Sequence, residues 1–529
     1  MSERLQLDPA PAAAVPAPRD GAFRSVLFTA ERVDGSGAQE PPAFKDLNLD
    51  QVVESIVGGR DEYDLKPFFY LQLQDVEEVA YRHEIVRDLE RVDVRTPVRV
   101  FAEAMRKVRN YRTLAQKQRY KHEKERWFLD AATIYCEAVS TLASGLGDVD
   151  LGSCGLQALR DYLSSYVRSE DFTALASELR TVREALDRVK YTVRIKGARV
   201  TVSPYQGELD YTVEVEETFA RFRQGTVEDH LAKIADSGSM DHVEARIAQL
   251  VARLFPEEFG ALDAFCARRR DFLDPRIARF DREVQFYLAY LEFAERLKAA
   301  GLPFCYPALS DRSKETSADD AFDVALAAKL VSEGGTVVRN SFFLRGPERI
   351  VVVTGPNQGG KTTFARMFGQ LHHLGALGLP VPGRSARLFL PDRVFTHFEV
   401  EEDITTLRGK LDDELVRVRD ILAQATGDSV IVLNEIFAST TLADAAYLGT
   451  EVLRQIIDLG CLAVCVTFVD ELSTLGEATV SMVSAVQPDD PSQRTFKIVR
   501  RRADGRAYAW ALADKYGLSF ERLRKRIGR

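Results

Sequence analysis

The segment Gly355-Pro-Asn-Gln-Gly-Gly-Lys-Thr362 constrains the fold more than any other stretch of this chain. Gly355, Gly360, Lys361 and Thr362 satisfy G-x-x-x-x-G-K-[ST] in full. The apolar run Ile350–Val353 ahead of it predicts a strand, and Thr362–Leu371 after it predicts a helix. Strand, glycine loop and helix in that order make a phosphate cradle. Glycines let successive backbone N–H groups converge on phosphate oxygens, and the helix N-terminus adds its partial positive charge. Lys361 would neutralise the β- and γ-phosphate oxygens, and the Thr362 hydroxyl would ligate Mg²⁺. The expected cofactors are ATP and Mg²⁺. The residues expected to hold the nucleotide are Gly355, Pro356, Asn357, Gln358, Gly359, Gly360, Lys361, Thr362 and Thr363.

A second apolar run, Val430–Leu433, leads into Asn434-Glu435. In related ATPases an Asp at the first position steadies the Mg²⁺ shell, and the following Glu orients or activates the attacking water. Asn434 keeps an acceptor oxygen without the charge, so Thr362 and Asn434 are the candidate metal residues. Glu435 is the candidate general base.

The surrounding chain has 529 residues, 45% hydrophobic and 29% charged, which is a globular composition with room for about three domains. Its apolar runs are strand-sized, far short of the roughly 20 residues a membrane span needs, so no membrane partner is expected. Met1–Leu5 carries Arg4 with no apolar run behind it, which does not read as a secretory signal. Of the six cysteines, Cys461 and Cys465 lie roughly 13 Å apart along a strand at about 3.3 Å per residue, too far to chelate one metal. The thiols read as reduced and buried, and the localisation as cytoplasmic. A formal charge of −9 argues against a globally basic nucleic-acid binder but not against local patches.

Residues 1–44 are rich in Ala, Pro and Gly and read as partly disordered, with Ser25–Ala30 able to add a strand. Residues 45–300 are overwhelmingly helical. Apolar stripes run through Phe101, Met105, Val108, Tyr111 and Ala115, through Leu175, Leu179, Val182, Leu186 and Val189, and through Ile277, Phe280, Val284, Leu288 and Leu291. Another, Val243, Ile247, Leu250, Val251 and Leu254, stops before Pro256. Tyr191–Lys196, a Gly197-Ala198 turn and Arg199–Val202 read as a hairpin, part of a small β insert near 191–215. After Pro303–Pro307, short β-branched runs alternate with helices, which predicts an α/β domain over 301–529.

The loop is more particular than a generic phosphate cradle. Thr354-Gly-Pro-Asn-Gln-Gly-Gly-Lys-Thr-Thr363 resembles the ATPase domain of the MutS family, whose usual form has Met where this chain has Gln358. Asp392-Arg-Val-Phe-Thr396 is similar to that family's D-R-I-F-T. Val430-Ile-Val-Leu-Asn-Glu-Ile-Phe-Ala-Ser-Thr-Thr441 is similar to L-V-L-L-D-E-I-G-R-G-T-S, and Cys465-Val-Thr-Phe-Val-Asp-Glu-Leu472 to A-T-H-x-x-E-L. Ala507-Tyr508 and Tyr516-Gly-Leu518 echo the end of the same domain. The resemblance is specific over about 335–529 and looser over about 65–300, where Val76–Leu89 looks like a core and lever segment. It implies an all-α lever/core domain with a small β insert, followed by an ABC-type P-loop ATPase domain. With lever-like helices beginning near residue 65 and the sequence ending at Arg529, neither a mismatch-reading and connector pair nor an appended nuclease is expected.

Two further positions depart from the family pattern. Phe468 stands where the family has His, and Arg408-Gly-Lys-Leu411 aligns with the family's R-S-T-F. Gly409 replaces the serine that would reach a partner's nucleotide. Arg408, Gly409 and Lys410 are therefore the residues that the resemblance assigns to a contact across a homodimer. Both substitutions point to slow hydrolysis and leave nucleotide binding untouched.

The expected DNA surface is basic. Met105–Arg126 carries nine Lys or Arg, and its second half, Gln116–Arg126, reads as a solvated helix; Lys117, Arg119 and Lys121 are its candidates. Arg194, Lys196 and Arg199 form a second cluster on the hairpin, beside acidic Glu208–Glu217. In the resemblance, such elements close around a duplex by phosphate contact, without base readout. His372-His373 has no ligand partner at metal spacing and reads as two residues carried on the loop's helix.

Together these readings describe an ATP-dependent, DNA-binding protein of the MutS-related class, connected with DNA repair, in which nucleotide closes a dimer and moves lever arms. The alternative is an ATP-gated protein-interaction module with little hydrolysis. A metabolic kinase would need an acceptor lid that the helical half does not offer.

Overall fold

The computed structural model describes residues 23–29, 37–197, 199–207, 240–399, 409–487, 493–503 and 520–527. The described chain is mixed α/β and forms two compact units, one from 1–90, 151–156 and 282–529, the other from 91–150 and 157–281. This interleaved division differs from the expected boundaries at 44 and 300, because residues 23–90 pack with the α/β part. No helix among the described residues is long and apolar enough to cross a membrane.

The α/β unit is built on a six-stranded sheet of β1 (Ile350–Thr354), β2 (Val394–Phe398), β3 (Val430–Asn434), β4 (Leu462–Val466), β5 (Thr479–Val486) and β6 (Arg494–Arg500), in the order β2-β3-β4-β1-β5-β6. All neighbours are parallel except β5 and β6. Every residue of β1, β3 and β4 is buried. That explains their unbroken Val, Ile and Leu runs, since a central parallel strand has helices on both faces. On one face Ile350, Val352, Ile431, Leu433, Ala463 and Cys465 pack with Val418 of helix α2 (Lys410–Gln424) and with Leu453 and Ile456 of α3 (Leu442–Leu459). On the other lies the loop's helix, α1 (Lys361–Ala376), which runs five residues beyond its predicted end at Leu371. Gly369 of α1 admits Leu47 so closely that a Cβ would lie 2.6 Å from its methyl carbon. A smaller four-stranded sheet carries Asn340–Leu344 at one edge.

The strand expected at Ser25–Ala30 does not form over the described residues 23–29. Side chains, not a neighbouring strand, satisfy this backbone. Glu283 accepts from the Val26 N–H and Ser25 Oγ, both at 2.8 Å, and Tyr81 donates to Ser25 O at 2.7 Å. Arg82 Nε donates to Leu27 O at 2.9 Å, and Tyr287 donates to Val26 O at 2.7 Å. Phe23, Val26, Leu27 and Phe28 are buried, so this part of the Pro/Ala-rich segment belongs to the core.

In the helical unit Val92–Lys117 and Lys121–Gly147 run along each other, with Phe101, Met105 and Val108 buried as their spacing predicts. Gly145 lies where a Cβ would stand 2.7 Å from Pro97 Cβ, so glycine permits the close approach. Leu175, Leu179 and Val182 are buried in Glu170–Asp187. The stripe before Pro256 is weaker than predicted: Val251 is buried, whereas Val243 and Leu254 are exposed. The hairpin pairs Tyr191–Lys196 with Arg199–Pro204 around Gly197 at φ 60°; residues 208–215 of the expected insert lie outside the described residues.

The solvated helix expected over Gln116–Arg126 is instead a break between two helices, with Gln118, Arg119 and Tyr120 in neither. Its acids turn inward. Glu123 is buried and accepts from the Met240 N–H at 2.9 Å, and buried Glu125 meets His122 at 2.9 Å.

Four buried histidines of the α/β unit give it an acid-labile core. Burial lowers the pKa of His83 to about 3, and those of His372, His373 and His397 to about 4. The unfolded chain binds these protons near pH 6.5 and the folded chain does not, so stability is full above that pH and falls toward pH 4. The loss should approach about 1.4 kcal/mol per pH unit for each histidine. Urea midpoints at pH 7.5 and 5 should differ accordingly, and His373→Gln should reduce the difference; equal midpoints would contradict the account.

Candidate functional site

The glycine loop leaves the C-terminal end of β1, between β4 and β5, where ligands of open parallel sheets bind. Its backbone adopts conformations that side chains resist: Gly355 has φ 117°, Gln358 58° and Gly360 90°. Gly360 caps α1 without a side-chain hydrogen bond, so the first-turn N–H groups of that helix are left to a ligand. Lys361 is buried, and its Nζ donates to Gly355 O at 3.0 Å, Pro356 O at 3.3 Å and Asn357 Oδ1 at 3.1 Å. Burial holds this ammonium below the ordinary lysine range, Glu435 acts in the opposite sense, and Arg494 adds to the lowering. A cation parked on loop carbonyls beside a bare helix end is a site made for an anion.

Glu435 lies just past the end of β3, with φ 55° and its N–H held by Val466 O at 2.9 Å. Its Oε1 stands 3.9 Å from Lys361 Nζ. Asn434 ends β3, and its Oδ1 is buried without a hydrogen-bond partner. An orphaned buried acceptor next to a carboxylate, with the half-buried Thr362 opening α1, is a donor set that fits a hydrated Mg²⁺. Phe468, two residues past β4, is 45% exposed.

Sequence reasoning missed the wall formed by β5 and β6. Ser484 Oγ donates to Gly359 O at 2.7 Å, and a Cβ at Gly359 would lie 2.2 Å from that oxygen. Arg494 Nε donates to Asn357 O at 3.3 Å, and a Cβ at Gly360 would lie 3.6 Å from Phe496 Cα. Gly359, a glycine additional to the motif's Gly360, is the one local signal that something packs against the loop.

Other expected residues are placed as follows. Arg408 lies outside the described residues, as do Glu208–Glu217, Ala507-Tyr508 and Tyr516–Leu518. Gly409 is exposed and caps α2, and Lys410 is paired with Glu399. Lys117 and Arg119 are exposed, while Lys121 is tied to Asp263 at 2.9 Å and Glu125 at 3.6 Å. On the hairpin Lys196 faces Arg199 and Arg194 faces Thr201, which puts Arg194, Lys196 and Arg199 on one exposed side. The histidines of α1 are structural: His372 Nδ1 meets Phe368 O at 2.8 Å, and His373 Nε2 meets Phe69 O at 2.9 Å.

Residues 351–519 match the family described as MutS domain V. The chain is 29% identical over 194 residues to the Endonuclease MutS2 of Thermus thermophilus, covering 36% of this chain and 25% of that protein. It is 34% identical over 203 residues to the DNA mismatch repair protein MutS of Symbiobacterium thermophilum, covering 38% and 22%. A longer match, 26% over 366 residues, is to the Endonuclease MutS2 of Streptococcus suis, covering 66% and 45%. The matches thus span less than half the length of these relatives.

Asn434→Asp should strengthen metal organisation, because a carboxylate beside Thr362 is a hard oxygen ligand suited to Mg²⁺. The added charge beside Glu435 is repulsive, and a bound Mg²⁺ would offset that repulsion. The expected outcome is a lower Mg²⁺ requirement and a higher rate in an ATPase titration. Normal ATP binding with unchanged Mg²⁺ dependence would remove position 434 from the metal shell.

Proposed function

Because this chain is a MutS-family protein, carrying that family's domain V over 351–519, we propose that it is an ATP-dependent DNA-binding protein whose nucleotide cycle drives a dimer. The observation that supports this best is the 3.9 Å approach of Glu435, just past the end of β3, to Lys361, the first residue of α1 in the loop that follows β1. The loop N–H groups and Lys361 bind the phosphates. Thr362 and Asn434 would hold Mg²⁺, which would neutralise charge on the phosphate oxygens. Glu435 takes the proton of the attacking water at a carboxylate oxygen. Arg408, Gly409 and Lys410 of one chain approach the nucleotide of a second copy, so that binding closes the pair and hydrolysis releases it.

The helical unit, residues 91–150 and 157–281, acts as the lever. Its hairpin supports DNA contact through phosphates. Lys196 and Arg199 sit directly opposite one another, a like-charge pair that is unfavourable until an anion lies against it. Phosphate contact alone carries no sequence information, so single mismatches should be ignored.

A second reading, an ATP-gated protein-interaction module with little turnover, draws on the uncharged Asn434 and on Phe468, an exposed aromatic that cannot hold a γ-phosphate. ATPase assays with duplex, branched and single-stranded DNA across a salt series separate the two. Stimulation that fades steeply with salt and is equal for matched and mismatched duplex supports the first; tight ATP binding with no stimulated turnover supports the second. Glu435→Gln should retain ATP, suppress turnover at least tenfold and accumulate an ATP-bound dimer. Wild-type turnover in that variant would remove Glu435 from the mechanism.

A further inference from the structure

The turn that carries Glu435 is held in an unfavourable backbone conformation. Glu435 has φ 55° and Phe437 φ 59°, so two residues with side chains, separated only by Ile436, are left-handed. Such residues persist only where their surroundings over-determine them. The Glu435 N–H is held by Val466 O at 2.9 Å. Phe437 is fully buried in the core that the sheet shares with α2 and α3. A further tie comes from α2, where Glu414 Oε2 accepts from Ser439 Oγ at 3.2 Å. The turn is thus pinned at its start by β4, in its middle by the core and at its far side by a carboxyl group of the neighbouring helix.

Glu414 is only 6% exposed, and its other oxygen, Oε1, is buried without a hydrogen-bond partner. An apolar side chain at this position of α2 would avoid the cost of burying that oxygen. Burial raises the Glu414 pKa, Ser439 and Lys410 oppose the rise, Glu399 adds to it, and the Phe437 backbone acts with Ser439. Two of these groups, Ser439 and Phe437, belong to the turn itself. We propose that Glu414 is a positioning residue for ATP hydrolysis, holding through Ser439 the left-handed turn that aims Glu435 at the phosphate site. With the Glu435 N–H fixed on Val466 O, any relaxation of φ at Glu435 swings its Cβ about the N–Cα bond and alters the 3.9 Å approach of Oε1 to Lys361. A general base displaced in this way still leaves the phosphate cradle intact. The proposal rests on the reading of Glu435 as general base and adds to it a residue that acts through the turn, not on the reacting atoms.

The test measures Mg-ATP binding and steady-state ATP turnover of the full chain carrying Ser439→Ala, Ser439→Thr, Glu414→Ala, Glu414→Gln or both alanine changes, beside Glu435→Gln. Ser439 is exposed, so truncating it leaves the core untouched. The expected result is a fall in kcat of about tenfold or more in Ser439→Ala and Glu414→Ala, with ATP affinity and KM within about twofold of wild type. Glu414→Gln keeps an oxygen that accepts from Ser439, and Ser439→Thr keeps the hydroxyl, so both should recover most of the turnover. The double alanine variant should be no slower than the slower single one, because both changes remove one interaction. Wild-type kcat in Ser439→Ala while Glu435→Gln is inactive would overturn the role of Glu414 and leave Glu435 standing. ATP affinity lost in step with kcat, or no recovery in either conservative variant, would likewise reduce Glu414 to a structural residue. Absence of turnover in the wild-type chain, or wild-type turnover in Glu435→Gln, would overturn both readings.

Discussion

The uncapped N-terminus of α1 is the constraint around which the α/β unit is arranged. Its first-turn N–H groups have no side-chain acceptor, because Gly360 occupies the cap and has none to offer. The loop before it can bend back only through the left-handed conformations at Gln358 and Gly360 and the positive φ of Gly355. The same lack of side chains lets Ser484 close on Gly359 from the neighbouring strand. Buried strands hold this geometry from below, with β1 fixed between β4 and β5. The result is a helix start with no side-chain cap beside a desolvated ammonium, an arrangement that suits an anion.

That part was legible in the sequence because it is local: consecutive residues set the motif, and flanking apolar runs set the strand and helix. The helical stripes were legible for the same reason. What escaped depends on partners distant in the chain. Ser484 and Arg494 reach the loop across 125 and 137 residues, and nothing in their own neighbourhood marks them. Residues 23–29 contain the strand-like apolar run Val26–Phe28 but have no strand partner among the described residues, and their backbone is claimed by Tyr81, Arg82, Glu283 and Tyr287. Glu123 and Glu125 sit in a charge-rich run that suggests solvent. They are buried because the Met240 N–H and His122 supply their hydrogen bonds.

Two of the departures from the family pattern, Asn434 and Phe468, lie at or just past the ends of β3 and β4. The phosphate-binding elements are complete, whereas Asn434 and Phe468 alter the side where metal and γ-phosphate would be organised. Asn434 still presents a buried oxygen, so it weakens a charge interaction without removing the acceptor. In the proposed reading, binding would depend on backbone donors and Lys361 and turnover on Asn434 and Glu435, which would make the two physically separable.

The central claim is that the loop after β1 is a nucleotide phosphate site, and titration of Mg-ATP into the full chain and into Lys361→Ala tests it most directly. Saturable binding by the wild type, abolished in a variant whose circular dichroism and thermal unfolding are otherwise unchanged, is the predicted result. Equal ATP affinity in a properly folded Lys361→Ala protein would contradict the account.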